Sequence, residues 1–178
     1  MKKGENVSLK DFLQGRRNDA ELGQGIWRRA HDRFNRGIDR FHQILEKLPD
    51  DGTLELVVPE ANALADLLPR VRTIAARAQQ LAPSNSTDIP ASPSGIYSEL
   101  HRCLSRAGNS VALCAEALAM VRCAGSCEFQ CNRQEIVMRR VETVREHIER
   151  AEELLQQAHY ETTQRHNEYA QQKISASA

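Results

Sequence analysis

The sequence is short of aromatic residues, of net charge and of long apolar runs. One tryptophan, three tyrosines and four phenylalanines predict a core built from Leu, Ile, Val and Ala. The 24 basic residues balance the 24 acidic ones, so total charge favours neither nucleic acid nor an acidic substrate. No apolar run approaches the roughly 18 residues of a membrane span, or the 7–15 residues of a secretory signal. We therefore expect a cytoplasmic protein without a membrane partner.

Glycine and proline are both absent from Asn132 to Gln172. Small or apolar residues recur there at alternating steps of four and three: Val137, Val141, Val144, Ile148, Ala151, Leu155 and Ala158. Such steps place all seven on one side of a single long helix, about 60 Å in length. A helix of this length cannot bury that side alone, so the other segments should pack against it.

Helical spacing of apolar residues predicts three further main helices and a short one. The predicted ranges are Leu9–Arg17, Asp19–Leu48 (opened by Asn18 or Asp19), Pro59–Leu81 and Ile96–Cys123. We therefore predict an all-α fold in a single domain over residues 1–178. It is an antiparallel bundle of four main helices plus the short N-terminal helix, and its C-terminal helix is long.

Prolines mark the expected interruptions. Thr53–Val58 is predicted to be an extended connector, and Pro69 should kink or split the following helix because it lacks an N–H. Residues 82–95 contain three prolines and four serines. That composition predicts a flexible linker between two helical hairpins. Residues 173–178 are predicted to form a disordered tail.

The cysteines suggest one possible chemical site. Cys123, Cys127 and Cys131 follow one another at steps of four, and thiolates at such positions suit Zn, Cu(I) or an iron–sulfur cluster. Cys114 is a possible fourth ligand if the chain folds back. The alternatives are reduced cysteines that fill a helix contact, or a redox switch helped by neighbouring arginines.

Basic residues form a line on the second predicted helix. Its members stand at steps of four, three and four: Arg29, Arg33, Arg36 and Arg40 (the Arg stripe). The Arg stripe could bind phosphates, or it could pair with acidic residues of the long helix. Those acidic residues are Glu142, Glu146, Glu149, Glu152 and Glu153. Neutral total charge favours a paired or solvated stripe over nucleic-acid binding, and Trp27 beside it is expected to anchor the core.

The sequence contains no phosphate-binding loop, catalytic triad or nucleophile elbow. We therefore expect a non-enzymatic interaction or scaffold protein that binds a protein partner or associates with itself. The alternatives are a metal-binding or redox-sensing bundle based on the three cysteines and, ranked lower, nucleic-acid binding through the Arg stripe.

Overall fold

The computed structural model describes residues 19–48, 53–120 and 133–175. These ranges contain four long helices and no β-strand, which confirms the all-α class. The helices are α1 (Ile26–Leu45), α2 (Thr53–Leu81), α3 (Ile96–Met120) and α4 (Arg133–Ser175). The predicted helix Leu9–Arg17 lies outside the described residues.

The helices pack as a four-cornered bundle in the order α1, α2, α4, α3. Helix α1 contacts α2 and α3, and α4 contacts the same two helices. Helices α2 and α3 barely touch, and the described residues include no contact between α1 and α4. Thus α1 and α4 occupy diagonally opposite corners.

Side-chain contacts fix the direction of each helix. Trp27 at the start of α1 reaches Ala82 after the end of α2, so these two helices are antiparallel. Helix α3 is antiparallel to α4, because Ser94 before its start bonds to Glu161 near the far end of α4. Helices α1 and α3 run parallel, since Trp27 also contacts Tyr97 in the first turn of α3. The fold is therefore two antiparallel hairpins lying side by side.

Residues 82–95 connect these hairpins across one end of the bundle. The indole Nε1–H of Trp27 donates to the Ala82 carbonyl at 2.9 Å, and the first N–H of α1 donates to Ser84 Oγ at 3.4 Å. At the other end of the segment, Ser94 Oγ donates to Glu161 Oε2 at 2.7 Å. The connection therefore contacts first the start of α1 and then α4 as it crosses the end of the bundle, and it joins α2 to α3 at diagonally opposite corners.

The predicted apolar side of the long helix is confirmed, because all seven residues from Val137 to Ala158 in that pattern are buried. Beyond it, every side chain from Thr163 to Ser175 is exposed. The 43 residues of α4 extend about 64 Å, whereas the 25 residues of α3 extend about 38 Å. The end of α4, residues 163–175 (the projecting end), thus continues past the start of α3, where Arg165, His166 and Tyr169 line an open cavity with Pro83 and Tyr97.

The prediction of an extended connector at Thr53–Val58 is wrong, because α2 begins at Thr53 and includes Pro59 and Pro69. Nor does Pro69 split the helix. Leu64 and Leu67 before it, and Val71 after it, are almost fully buried. Burying each such side chain contributes roughly 1.5–3 kcal/mol, so together they outweigh the roughly 3 kcal/mol that an interior proline costs.

The second predicted helix starts later than expected. Residues 19–22 are helical, but the helix is interrupted before Ile26. Gly23 has a φ of +66°, in the left-handed region that favours glycine. A Cβ on Gly25 would lie 2.3 Å from the Ser84 carbonyl oxygen, so glycine there lets the connecting segment approach α1. Sequence periodicity alone could not detect that approach.

Candidate functional site

The Arg stripe lies on the exposed side of α1 that faces α3. All four of its side chains are exposed, whereas Phe34 and Phe41 on the inner side are fully buried. Burial of the phenylalanines fixes the rotation of α1. That rotation aims the four guanidinium groups along the boundary between α1 and α3.

Two glycines bring α1 and α3 close together at this boundary. A Cβ on Gly37 would lie 2.8 Å from Cγ1 of Val111, and a Cβ on Gly108 would lie 3.1 Å from Cγ of Arg33. The aliphatic stem of Arg33 therefore packs over the backbone of α3 while its residue remains exposed. An interior glycine such as Gly37 destabilises a helix by about 1 kcal/mol relative to alanine, and the close contact with α3 offsets this cost.

An open groove follows the boundary, and the Arg stripe forms one of its walls. The groove consists of two neighbouring cavities that share Arg33. The lower cavity, toward the C-terminal ends of α1 and α3, has a volume of about 510 Å³ and includes Arg33, Arg36 and Arg40. The upper cavity is about 200 Å³ and includes Arg29 and Arg33. The opposite wall belongs to α3, and its residues are His101, Ser105, Gly108, Asn109, Ala112, Ala115, Glu116 and Ala119.

Charge in the groove is mainly positive. Glu116 is the carboxylate among the lining residues, against four guanidinium groups. Burial lowers the pKa of His101, and the positive charge of Arg33 lowers it further. His101 is therefore neutral near pH 7, and the charge of the groove comes from the arginines.

The four arginines differ from most others in the bundle. Across residues 19–48, 53–120 and 133–175, none of the four forms an ion pair with a carboxylate. Seven other arginines do: Arg28, Arg70, Arg72, Arg102, Arg139, Arg145 and Arg150. Of the two favoured alternatives, pairing with the long helix is therefore excluded within one molecule, because α1 and α4 do not touch, and the solvated stripe remains. Glu152 instead accepts two hydrogen bonds from Arg70 of α2, at 2.9 and 2.8 Å.

The opposite flank of α1 has a different organisation. Arg28 there bonds to Asp19 at 2.7 Å and to Asp32 at 2.8 Å. Asn35 donates to Asp39 at 3.2 Å. Acidic and polar groups on this flank therefore bond to one another, whereas the flank facing α3 carries unpaired positive charge.

Trp27 is fully buried and its ring packs edge-on against Tyr97, with ring centroids 6.5 Å apart. Its only polar atom donates to Ala82. The prediction of a core anchor is confirmed. Trp27 therefore presents no surface on which a nucleic-acid base could stack.

The predicted cysteine site lies outside the described residues, since Cys123, Cys127 and Cys131 all fall within residues 121–132. Cys114 is fully buried in α3, and burial raises the pKa of its thiol to about 12. Without a metal ion beside it, a thiol with that pKa stays protonated near pH 7. In the part of the chain that the structure describes, no three His, Cys, Asp or Glu side chains are grouped so that they could hold a metal ion.

The sequence identified the basic wall of the groove but not the wall on α3. Gly108, Ala112 and Ala115 have no distinctive chemistry, and they line the groove only because α3 lies beside α1. Small residues at steps of four and three on α3 were the available signal for a close helix contact. None of the four described helices is long and apolar enough to cross a membrane. Comparison of the chain with models of protein families, with curated proteins and with solved structures gave no match.

Proposed function

We propose that the protein is a non-enzymatic interaction protein that holds an acidic protein partner along the Arg stripe and the adjoining groove. The observation that carries this proposal is the alignment of four exposed guanidinium groups that have no carboxylate partner among the described residues. Guanidinium groups recognise carboxylates through paired hydrogen bonds.

A purely structural role for the Arg stripe is harder to support. Like charges three or four residues apart on a helix destabilise it by roughly 0.2–0.5 kcal/mol per pair. Arg29 and Arg33, Arg33 and Arg36, and Arg36 and Arg40 are all such pairs. A partner that supplies carboxylates would remove this repulsion, so binding turns an unfavourable arrangement into a favourable one.

The shape of the groove also suits a protein partner. It is open and elongated, and alanine and glycine supply much of its α3 wall. Small residues let another backbone approach closely, as in the packing of a helix into a groove between two helices. Its titratable groups apart from the arginines are His101 and Glu116, on different turns of α3.

Nucleic-acid binding is the second candidate, because arginines on one line could contact successive phosphates. Two features weigh against it. The ring of Trp27 is buried, and Glu116 would repel a phosphate chain lying in the groove. The cysteine-based alternative concerns residues outside the described ranges and gains no support from the geometry.

Binding of a fluorescent poly-glutamate peptide, followed by anisotropy at about 0.1 M salt, where the Debye length is about 10 Å, tests the proposal. The test variant carries Arg29→Gln, Arg33→Gln, Arg36→Gln and Arg40→Gln. We expect its affinity to fall at least about tenfold, because exposed charges on one surface provide most of the attraction.

The matched control has the same change in charge at exposed arginines elsewhere: Arg77→Gln, Arg102→Gln, Arg106→Gln and Arg165→Gln. Its affinity should stay within about twofold of the wild type, since long-range screened charge contributes little. Equal losses in both variants, or no binding by the wild type, would contradict the proposal. Tighter binding of a random-sequence DNA duplex than of poly-glutamate, lost in the test variant alone, would replace it by the nucleic-acid alternative.

A further inference from the structure

The outer side of α4 carries a second line of charge with the same spacing as the Arg stripe. Its members are exposed glutamates at steps of four, three and four: Glu142, Glu146, Glu149 and Glu153 (the acidic stripe). Each stripe covers 11 residue steps, about 16 Å along its helix. Two such helices lying side by side can therefore place each guanidinium group opposite a carboxylate.

The two stripes cannot meet within one molecule. Helices α1 and α4 stand at diagonally opposite corners of the bundle and have no contact in the described ranges. The residues between members of the acidic stripe, such as Val144, Ile148 and Ala151, are fully buried. The acidic stripe therefore faces away from the core, and the Arg stripe can reach it only from a second molecule.

We propose that the acidic partner of the Arg stripe is the acidic stripe of a second copy of this chain. This inference rests on the proposed function and names the occupant of the surface. Complementary charge and equal spacing are what select a second copy. The projecting end of α4 fits the Arg stripe less well, because its Glu168 is accompanied by Arg165 and Lys173.

The glutamates of the acidic stripe are available for such a contact. Glu146 and Glu149 form no ion pair with another described residue, although the charge of Glu149 helps to raise the pKa of Arg70 on α2. Glu142 and Glu153 lie 3.5 and 2.7 Å from arginines three residues away on α4, and both side chains are more than half exposed. Exposed ion pairs of this kind contribute little and exchange readily. The contact between copies should therefore be weak and sensitive to salt.

The positions of the stripes determine what kind of assembly forms. One contact uses the Arg stripe of one copy and the acidic stripe of the other, and it leaves one stripe free on each copy. Because the stripes lie at opposite corners, a two-fold dimer cannot satisfy both of them. A head-to-tail contact of this type either closes a ring or adds copies without a fixed limit.

Sedimentation velocity of the full chain over a range of concentrations tests the inference, with two neutralised variants. The first replaces the four arginines of the Arg stripe with glutamine. The second carries Glu142→Gln, Glu146→Gln, Glu149→Gln and Glu153→Gln. The wild type should grow in mean mass with concentration at low salt, and its association constant should fall about tenfold or more between roughly 0.02 and 0.2 M salt. Each variant alone should stay monomeric, while an equimolar mixture should form one-to-one pairs and stop growing.

The four-arginine control at positions 77, 102, 106 and 165 should associate like the wild type, and circular dichroism should confirm that every variant is folded. The inference is overturned if the wild type stays monomeric at low salt, if either variant associates as well as the wild type, or if their mixture does not pair. A monomeric wild type that still binds poly-glutamate would remove only the self-association and leave the proposed function standing. A wild type that neither associates nor binds poly-glutamate removes both.

Discussion

The contact between α1 and α3 buries large side chains, whereas the projecting end of α4 carries exposed ones. In the first, Trp27, Phe34 and Phe41 are fully buried, and Gly37 removes a side chain so that the helices can approach. In the second, residues 163–175 bury nothing, although Tyr169 and Ile174 are large and apolar. Both regions are helical, so helix formation and core formation are separable in this chain.

The projecting end extends a helix that the bundle already holds, and each added residue gains a backbone hydrogen bond without a new nucleation cost. Thr162 and Thr163 each donate a hydrogen bond to the carbonyl four residues earlier, at 2.8 and 3.0 Å. Arg165 Nε also donates to the Glu161 carbonyl at 3.3 Å. In the projecting end every side chain is exposed, and Arg165, His166 and Tyr169 only line an open cavity beside Pro83 and Tyr97, whereas α1 depends on packing. Four measurements test this contrast.

Removing an aromatic ring from each region should give the largest difference in the free energy of unfolding. Phe34→Ala leaves a cavity in the core, so it should lower the free energy of unfolding by about 3–5 kcal/mol. Tyr169→Ala, at a side chain that is 68% exposed, should change it by no more than about 0.5 kcal/mol. Urea unfolding of both variants measures the two effects, and similar losses would show that the projecting end is packed after all.

Adding a branched side chain to each region should give a smaller difference. Gly37→Val places a Cβ where Val111 Cγ1 is 2.8 Å away, so we expect a loss of roughly 1–3 kcal/mol from overpacking. Ala170→Val in the projecting end meets open solvent and should stay within about 0.5 kcal/mol of the wild type. A neutral Gly37→Val variant in thermal unfolding would mean that α1 and α3 separate more easily than their close packing implies.

The pH dependence of stability should come from the packed region. Burial lowers the pKa of His31, outweighing the hydrogen bond to Asp32 that raises it, and the charges of Arg72 and Arg28 lower it further. Because the unfolded chain then binds a proton before the folded one, stability should fall as pH drops below about 6.5 and level off below the folded pKa. His31→Gln should flatten this fall in unfolding experiments between about pH 7 and 5. An unchanged slope would assign it to other groups.

Deleting the projecting end should have the smallest effect on stability. A chain ending at Thr162 loses helical signal in circular dichroism in proportion to the residues removed. Its free energy of unfolding should nevertheless stay within about 0.5 kcal/mol, because those residues bury no side chain. A marked fall in the unfolding temperature would instead reveal contacts between the projecting end and the bundle. Association through the two stripes should also survive this deletion.

Periodicity predicted the parts of the fold that depend on a single helix. The prediction that seven positions of α4 are buried is confirmed, because one helix facing a core needs an apolar residue every three or four positions. The predicted start of α2 was wrong, since the partial alternation and the three β-branched residues Thr53, Val57 and Val58 suggested extended backbone. There, burial of side chains such as Val57 outweighs local preference.

The same distinction between features of one helix and features of tertiary packing applies to the candidate site. The sequence predicted the Arg stripe, because its spacing belongs to one helix. It did not predict that α3 would form the other wall of the groove, or that α4 would lie out of reach. Both depend on the course of residues 82–95 across the end of the bundle, which hydrogen bonds of Ala82, Ser84 and Ser94 define.

The amino-acid sequence by itself determined that this chain is helical, which sides of α1 and α4 are apolar, and that two lines of opposite charge share one spacing. These properties follow from neighbours within a turn or two of the same helix. The placement of α1 and α4 at opposite corners, which keeps the Arg stripe and the acidic stripe apart, depends on how the four helices pack. That packing depends on which long-range contacts bury the most apolar surface, and no local pattern specifies them.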